Sequence, residues 1–255
     1  MRVSIPAAAL CAVASIGVAL NPSAAQSPAG VRVATASPAI EKTSKFTFIL
    51  FWKENNAATQ ALTNSLKAAV EKRSQRAEWK SVNVNDAAQR AIVEQYHVER
   101  APMPMVLSVA ANGAITGAIT RQVTDEAIEE ALVTPGMADA AKALQDKRIV
   151  VIQVKQDAQQ LLPAGVTDFT QDPLYKDRTT VVSVVAGDKA ESRFLTEMEI
   201  KAEEVADSTF VVIAPPGVLV GKYSATVTKD QMAADLHAAG KCCNDPNCKH
   251  NQKGK

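Results

Sequence analysis

Cysteine is nearly missing from this chain of 255 residues: four occur, Cys11, Cys242, Cys243 and Cys248, all near the two ends. No disulfide can therefore staple one folded region to another, and folding has to come from apolar cores. Aromatic residues are also scarce, 4% of the chain against 47% hydrophobic residues in all, so those cores are aliphatic. Charge of either sign balances to a formal +1, which removes any global pull toward nucleic acid or anionic lipid. A glycine-rich phosphate loop, paired catalytic carboxylates and a nucleophile elbow are absent as well. His97 and His237 fall near expected helix ends, with no carboxylate or cysteine at an informative spacing.

What is present begins with a leader. Arg2 precedes an uncharged run from Val3 to Leu20 that exits through Asn21-Pro22-Ser23-Ala24-Ala25. The run is barely long enough to span a bilayer, contains Pro6, and ends on small residues. It reads as a signal peptide, 1–25, cleaved after Ala25, rather than as an uncleaved anchor. Leu10 before Cys11 is the wrong neighbour for a lipid attachment. The expectation is an exported protein, periplasmic or extracellular, with no membrane contact once the leader is gone. Residues 26–44, rich in Ala, Ser and Pro, read as a linker. The remaining length suits two domains, since one takes about 100–150 residues.

Phe46 to Trp52 is a nearly continuous apolar run, as expected of a central strand covered on both faces. Asn55 or Asn56 can cap a helix whose Leu62, Leu66, Ala69 and Val70 form one stripe. Trp79 to Val84 follows as a strand, and Asp86 can cap a helix bearing Ala88, Ile92 and Tyr96. Val106 to Ala110 and Ile115 to Ile119 flank Asn112-Gly113, a tight-hairpin dipeptide. Thr124, with Asp125 and Glu126 behind it, opens a last helix with Ile128, Ala131 and Leu132 inward. The order over residues 46–133 is βαβαββα.

The same pattern returns at an offset of 104 residues. Gly113 falls on Gly217, Gly117 on Gly221, Thr124 on Thr228, Ile128 on Met232 and Leu132 on Leu236, so one shift covers a hairpin and a helix. Pro216-Gly217 replaces Asn112-Gly113 at the turn. The offset puts the first strand of the second copy at Val150 to Gln156, followed by a strand at Thr180 to Val185 and a helix at Ala190 to Met198.

Phe51-Trp52-Lys53-Glu54 looks like the Phe-Trp-Ala-Glu that leads into the Trp-Cys-Gly-Pro-Cys site of thioredoxins, and Tyr96-His97-Val98 followed by Pro104 looks like their helix end and cis-proline. The chain resembles the thioredoxin-like superfamily. The resemblance implies an α/β fold with a mixed central sheet and flanking helices, in two tandem copies at 45–137 and 146–240, the second divergent. It also places the redox site on Asn55 to Thr59, so that Asn56, Ala57, Ala58 and Thr59 stand where the Cys-x-x-Cys pair would be. Gln160 to Pro163 take that place in the second copy, and Ser208 takes that of Pro104. Thiol–disulfide exchange needs an attacking and a resolving thiol, so neither copy is expected to be a dithiol oxidoreductase. What the resemblance leaves usable is a groove for extended peptide at Met103 and Pro104, with Pro102 the alternative cis-proline.

The tail, 241–255, gathers Cys242, Cys243, Cys248 and His250 in a basic, polar segment. Three thiols and an imidazole suit Zn²⁺ or Cu⁺, although adjacent cysteines are unusual in zinc motifs. A disulfide from Cys248 to Cys242 or Cys243, leaving one thiol for exchange, is the redox alternative, and adventitious bridges are the plain one. No cofactor is expected in the folded copies. Three functions follow: a non-catalytic module that binds an unidentified protein or peptide, a metal-handling protein acting through the tail, or a thiol oxidoreductase acting through the tail cysteines.

Overall fold

The computed structural model describes residues 45–205 and 208–240. The leader, the linker at 26–44, and the tail with Cys242, Cys243, Cys248 and His250 lie outside the described residues.

The first sheet is built from β1 (Phe46–Trp52), β2 (Ala77–Asn83), β3 (Met105–Val109) and β4 (Ile115–Ile119) in the order β2-β1-β3-β4. β1 and β2 are parallel, while β3 and β4 are antiparallel to their neighbours. The uninterrupted apolar run of β1 has its reason here. Phe48 and Leu50 face a core closed by α1 (Ala57–Glu71) and α3 (Asp125–Ala131), and Ile49 and Phe51 face one closed by α2 (Arg90–Gln95). Leu62, Leu66, Ala69 and Val70 are the buried stripe of α1, and Ile128 and Ala131 that of α3.

Three ion pairs join the far end of α1 to the start of α3. The Arg73 guanidinium donates to Glu129 Oε1 at 2.6 Å and Asp125 Oδ1 at 2.8 Å, and Lys72 Nζ donates to Asp125 Oδ2 at 2.7 Å. The hydrogen bond from Lys72, then that from Arg73, holds the Asp125 carboxyl below the usual carboxylate range. A carboxyl depressed in the folded state stabilises above its unfolded pKa, and the contribution disappears as pH falls through the folded value. Urea midpoints of the native chain and Asp125→Asn should therefore differ at neutral pH and converge on acidification below the carboxylate range. A difference that persisted there would mean the ion pairs contribute nothing.

The second sheet repeats the first with β5 (Ile149–Lys155), β6 (Thr179–Val185), β7 (Thr209–Ala214) and β8 (Val218–Tyr223) in the order β6-β5-β7-β8. α5 (Ala164–Gln171) and α7 (Lys229–Gly240) cover one face and α6 (Ser192–Glu197) the other. Even the irregularity recurs: the hairpin register slips between Ser108 and Val109 in one half and between Val212 and Ile213 in the other. Gly113 at φ +86° and Gly217 at φ +142° take the left-handed turn positions that the offset assigned them.

Elsewhere the single offset fails. β5 starts at Ile149 instead of Val150, because Ile49 pairs with Leu107 whereas Ile152 pairs with Val211, one position out of step. The helix expected at Ala190 to Met198 is a 3-10 turn, Lys189–Glu191, followed by α6. The helix behind Asp86 is broken in the same way into a 3-10 turn, Ala87–Gln89, and α2. Its cause is local. Asp86 Oδ1 accepts from Ala88 N at 2.9 Å, and Gln89 Oε1 accepts from Asn83 N at 2.6 Å, which ties the turn to the end of β2. Ala88 consequently points to solvent and Val93 takes the inward position.

One helix was not expected at all. α4 (Pro135–Gln145) starts from Thr134, whose Oγ1 accepts from Met137 N at 3.3 Å, with proline in its first turn. Its small side chains are buried on two sides: Ala140 and Ala143 in the core of the second half, Ala138 against Ala110 and Ala114 of the first. Next to it, Glu191 Oε1 accepts from Gly136 N at 2.8 Å. Arg193 caps α3 from the other half, its Nη1 donating to the carbonyls of Glu129 and Glu130 at 3.1 Å each.

Candidate functional site

The chain leaves β1 at Trp52, turns through Lys53 to Asn55, and enters α1 with Asn56 as its cap. Asn56 Oδ1 accepts from Thr59 N at 3.0 Å, which satisfies one amide that the first turn leaves open. Asn56, Ala57 and Ala58 are exposed, whereas Thr59 is buried. The Thr59 hydroxyl donates to the Glu54 carbonyl at 2.7 Å. It therefore closes the turn, and no base stands beside it to make it a nucleophile.

Opposite this turn runs the segment 101–104. The cis peptide precedes Pro104, at Met103-Pro104, and β3 begins at the next residue. Between the two segments lies a cavity of about 390 Å³ lined by Lys53, Glu54, Asn56, Thr59 and residues 101–104. Its floor is firm. Met103 packs on the cluster of Ile49 and Phe51, and Tyr96 meets Phe51 edge-on at 6.2 Å, where burial pushes its phenol pKa up. The structure thus brings together Asn56, Thr59, Met103 and Pro104, and places Pro102 on the rim. Lys53 and Glu54, which the sequence places just before the site, join them, as does Ala101, for which it carries no separate signal.

The second half does not reproduce this arrangement. Its cis peptide among the described residues, Pro215-Pro216, lies in the β7–β8 hairpin. Ser208 stands where the offset puts it and is buried. Gln160 to Pro163 lie in the loop that leads to α5, with Leu161 86% exposed. The loop is tied to β5 by Gln153, a buried polar residue inside an otherwise apolar strand. Gln153 Nε2 lies 3.3–3.4 Å from the carbonyls of Gln160 and Leu161 and from Ser208 Oγ, and its Oε1 accepts from Ser183 Oγ at 3.1 Å. That glutamine is the sequence signal for the difference, since the first half has Leu50 at the corresponding place.

No cysteine occurs among the described residues, and no group of three His, Cys, Asp or Glu side chains among them could hold a metal ion. A parallel β1–β2 pair, an antiparallel β3–β4 hairpin beside β1, helices on both faces and the β2-β1-β3-β4 order, occurring twice, decide the architecture. Each half has the thioredoxin-like fold.

No protein-family model matches the sequence, and neither does any curated protein sequence. Several solved structures align with parts of the chain at low identity. Human ERp44 in its zinc-bound form is 10% identical, covers 78% of this chain with 57% of its own length, and gives a TM-score of 0.34. The NTD_N/C domain of the alkylhydroperoxide reductase AhpF from Enterococcus faecalis is 13% identical, covering 74% of this chain and 90% of that one, with a TM-score of 0.29. Fasciola hepatica thioredoxin, at 12% identity and a TM-score of 0.29, covers 36% of this chain and 82% of its own.

Proposed function

We propose that this thioredoxin-like protein is a non-catalytic, exported polypeptide-binding module, and that its first half holds extended chain in the groove between the start of α1 and residues 101–104. The observation that carries this reading is the groove itself: open, walled by half-buried Met103 and Pro104, rimmed by exposed Lys53 and Glu54, and without a thiol. Apolar side chains can pack on Met103 while the charged rim meets backbone and polar groups. Thr59 is already bonded to Glu54 and offers no chemistry. Export rests on the leader at 1–25.

Reduced and carboxymethylated α-lactalbumin, labelled for fluorescence anisotropy, is a suitable probe because it is unfolded and has no free thiol. The full chain should bind it, and Met103→Asp should weaken binding about tenfold, equivalent to roughly 1.4 kcal/mol. Leu161→Ser in the second half should leave it unchanged. A chain ending at Gly240 should bind as well as the full chain and should not reduce insulin above background. Loss of binding on that truncation would move the activity to the tail, and insulin turnover by it would overturn the non-catalytic reading.

A further inference from the structure

The two halves carry equivalent hollows at the hairpin end of their sheets, and among the described residues only the first has a helix of the chain packed over part of it. In the first half Phe46 at the start of β1, Arg76 before β2, Ala110 after β3 and Leu132 after α3 bound it. α4 covers one side of it, where Ala138 packs with Ala110 and Phe46, and its start at Thr134 and Pro135 walls the cavity of about 530 Å³ that remains. A carboxylate finishes the contact, Asp139 Oδ1 accepting from Asn112 Nδ2 at 2.8 Å. Arg76 has Glu129 at 3.6 Å.

In the second half the equivalent places hold Ile149, Arg178, Ala214 and Leu236, and they line a cavity of about 650 Å³. Two apolar side chains stand open on its wall, Leu174 at 72% and Val218 at 44% exposure. Its charged lining is of one sign, Lys147 and Arg178, with His237 beside them on the last turn of α7 and no acid among the lining residues. The counterpart of Glu129 on α7 is Ala233, so that carboxylate is absent too.

We propose that this second hollow docks a helix of a partner protein, one that presents a stripe of small apolar residues flanked by carboxylates. The chain's own α4 against the first hollow is the precedent for the shape, and the cationic lining, with no acid among the described residues that form it, sets the charge. The tail fits poorly: it leaves from Gly240 on the rim but is basic, with Lys241, Lys249, Lys253 and Lys255 against Asp245, and it has no apolar stripe. A second copy could not supply α4, which is already buried in its own chain. Helix-in-groove recognition of this kind relies on anchors at helical spacing.

The test uses a fluorescent peptide of residues 133–146 with Lys142→Glu, which removes its one cation and leaves only acids, stapled to hold it helical because so short a helix is marginal in water. Anisotropy against the full chain should show saturable binding, and the peptide with Lys142 retained should bind more weakly. Arg178→Glu and Leu174→Ser, both at exposed positions, should each weaken binding about tenfold, whereas Met103→Asp in the groove of the first half should not. No saturable binding to either the full chain or the chain ending at Gly240, or equal binding to Arg178→Glu, would overturn the proposal. Binding only after the tail is removed would make the tail the resident occupant, and a dimer in sedimentation that Leu174→Ser dissociates would make it a second copy; either result overturns the partner helix.

Discussion

A chain carrying Asn56→Cys and Thr59→Cys, with Cys11, Cys242, Cys243 and Cys248 replaced by serine, is expected to form an intramolecular disulfide in air and to reduce insulin once dithiothreitol recharges it. The starting chain with only the serine replacements should do neither. The expectation rests on position. Asn56 is the cap and Thr59 the third residue of a helix of 15 residues, so the two occupy one turn, within reach of the roughly 4.4–6.8 Å Cα separation that a disulfide spans. A thiolate at the cap faces the unpaired amides of the first turn, which should hold its pKa below the ordinary thiol value of about 8.5. Removing Asn56 as cap costs about 0.5–2 kcal/mol, and losing the Thr59 to Glu54 hydrogen bond about 1 kcal/mol. Closing so small a loop returns about 2 kcal/mol. The oxidised chain should therefore melt above the reduced one. Thiol titration decides the matter: two free thiols persisting under oxidised glutathione would show that the turn does not hold residues 56 and 59 in disulfide geometry.

Gly165→Ala should be the most damaging single methyl group in the described chain. A Cβ at Gly165, in the first turn of α5, would stand 2.0 Å from the carbonyl oxygen of Val227, and that obstacle is backbone. Alanine raises helix propensity by about 0.5–1 kcal/mol over glycine, but overpacking costs about 1–3 kcal/mol or more when backbone must shift. The clash should win, by roughly 2 kcal/mol or more, which at about 2–4 °C per kcal/mol lowers Tm by about 4–8 °C. Gly187→Ala is the control, because nothing lies within 4 Å of a Cβ there. Equal melting of the two variants would sink the packing argument.

The same local physics explains which parts of the structure were legible in the sequence. Signals that a single residue carries came through: a cap at Asn55 or Asn56, which falls to Asn56, the turn at Gly113, the cap at Thr124, and the echoes of the last two at Gly217 and Thr228. α4 did not. Its alanines look featureless because a helix buried on two sides needs small residues all round instead of one apolar stripe. The break behind Asp86 escaped as well, since it depends on Gln89 reaching back to Asn83, a contact that no periodicity encodes. For the candidate site, the absence of thiols and the choice between Pro102 and Pro104 were open to sequence reasoning. That Lys53, Glu54 and Ala101 line one groove was not, because the fold alone brings the two loop segments together.

The helix shared by both cores has one more consequence. Because α4 follows α3 after Leu132, Val133 and Thr134 and is buried in both halves, the tandem has a splint where many two-domain chains have a tether. A ligand that engaged the Met103 groove and the Arg178 hollow together would meet them at a fixed spacing. Its second contact would gain or lose by shape alone, as a key meets two wards of one lock, with no linker to adjust the span.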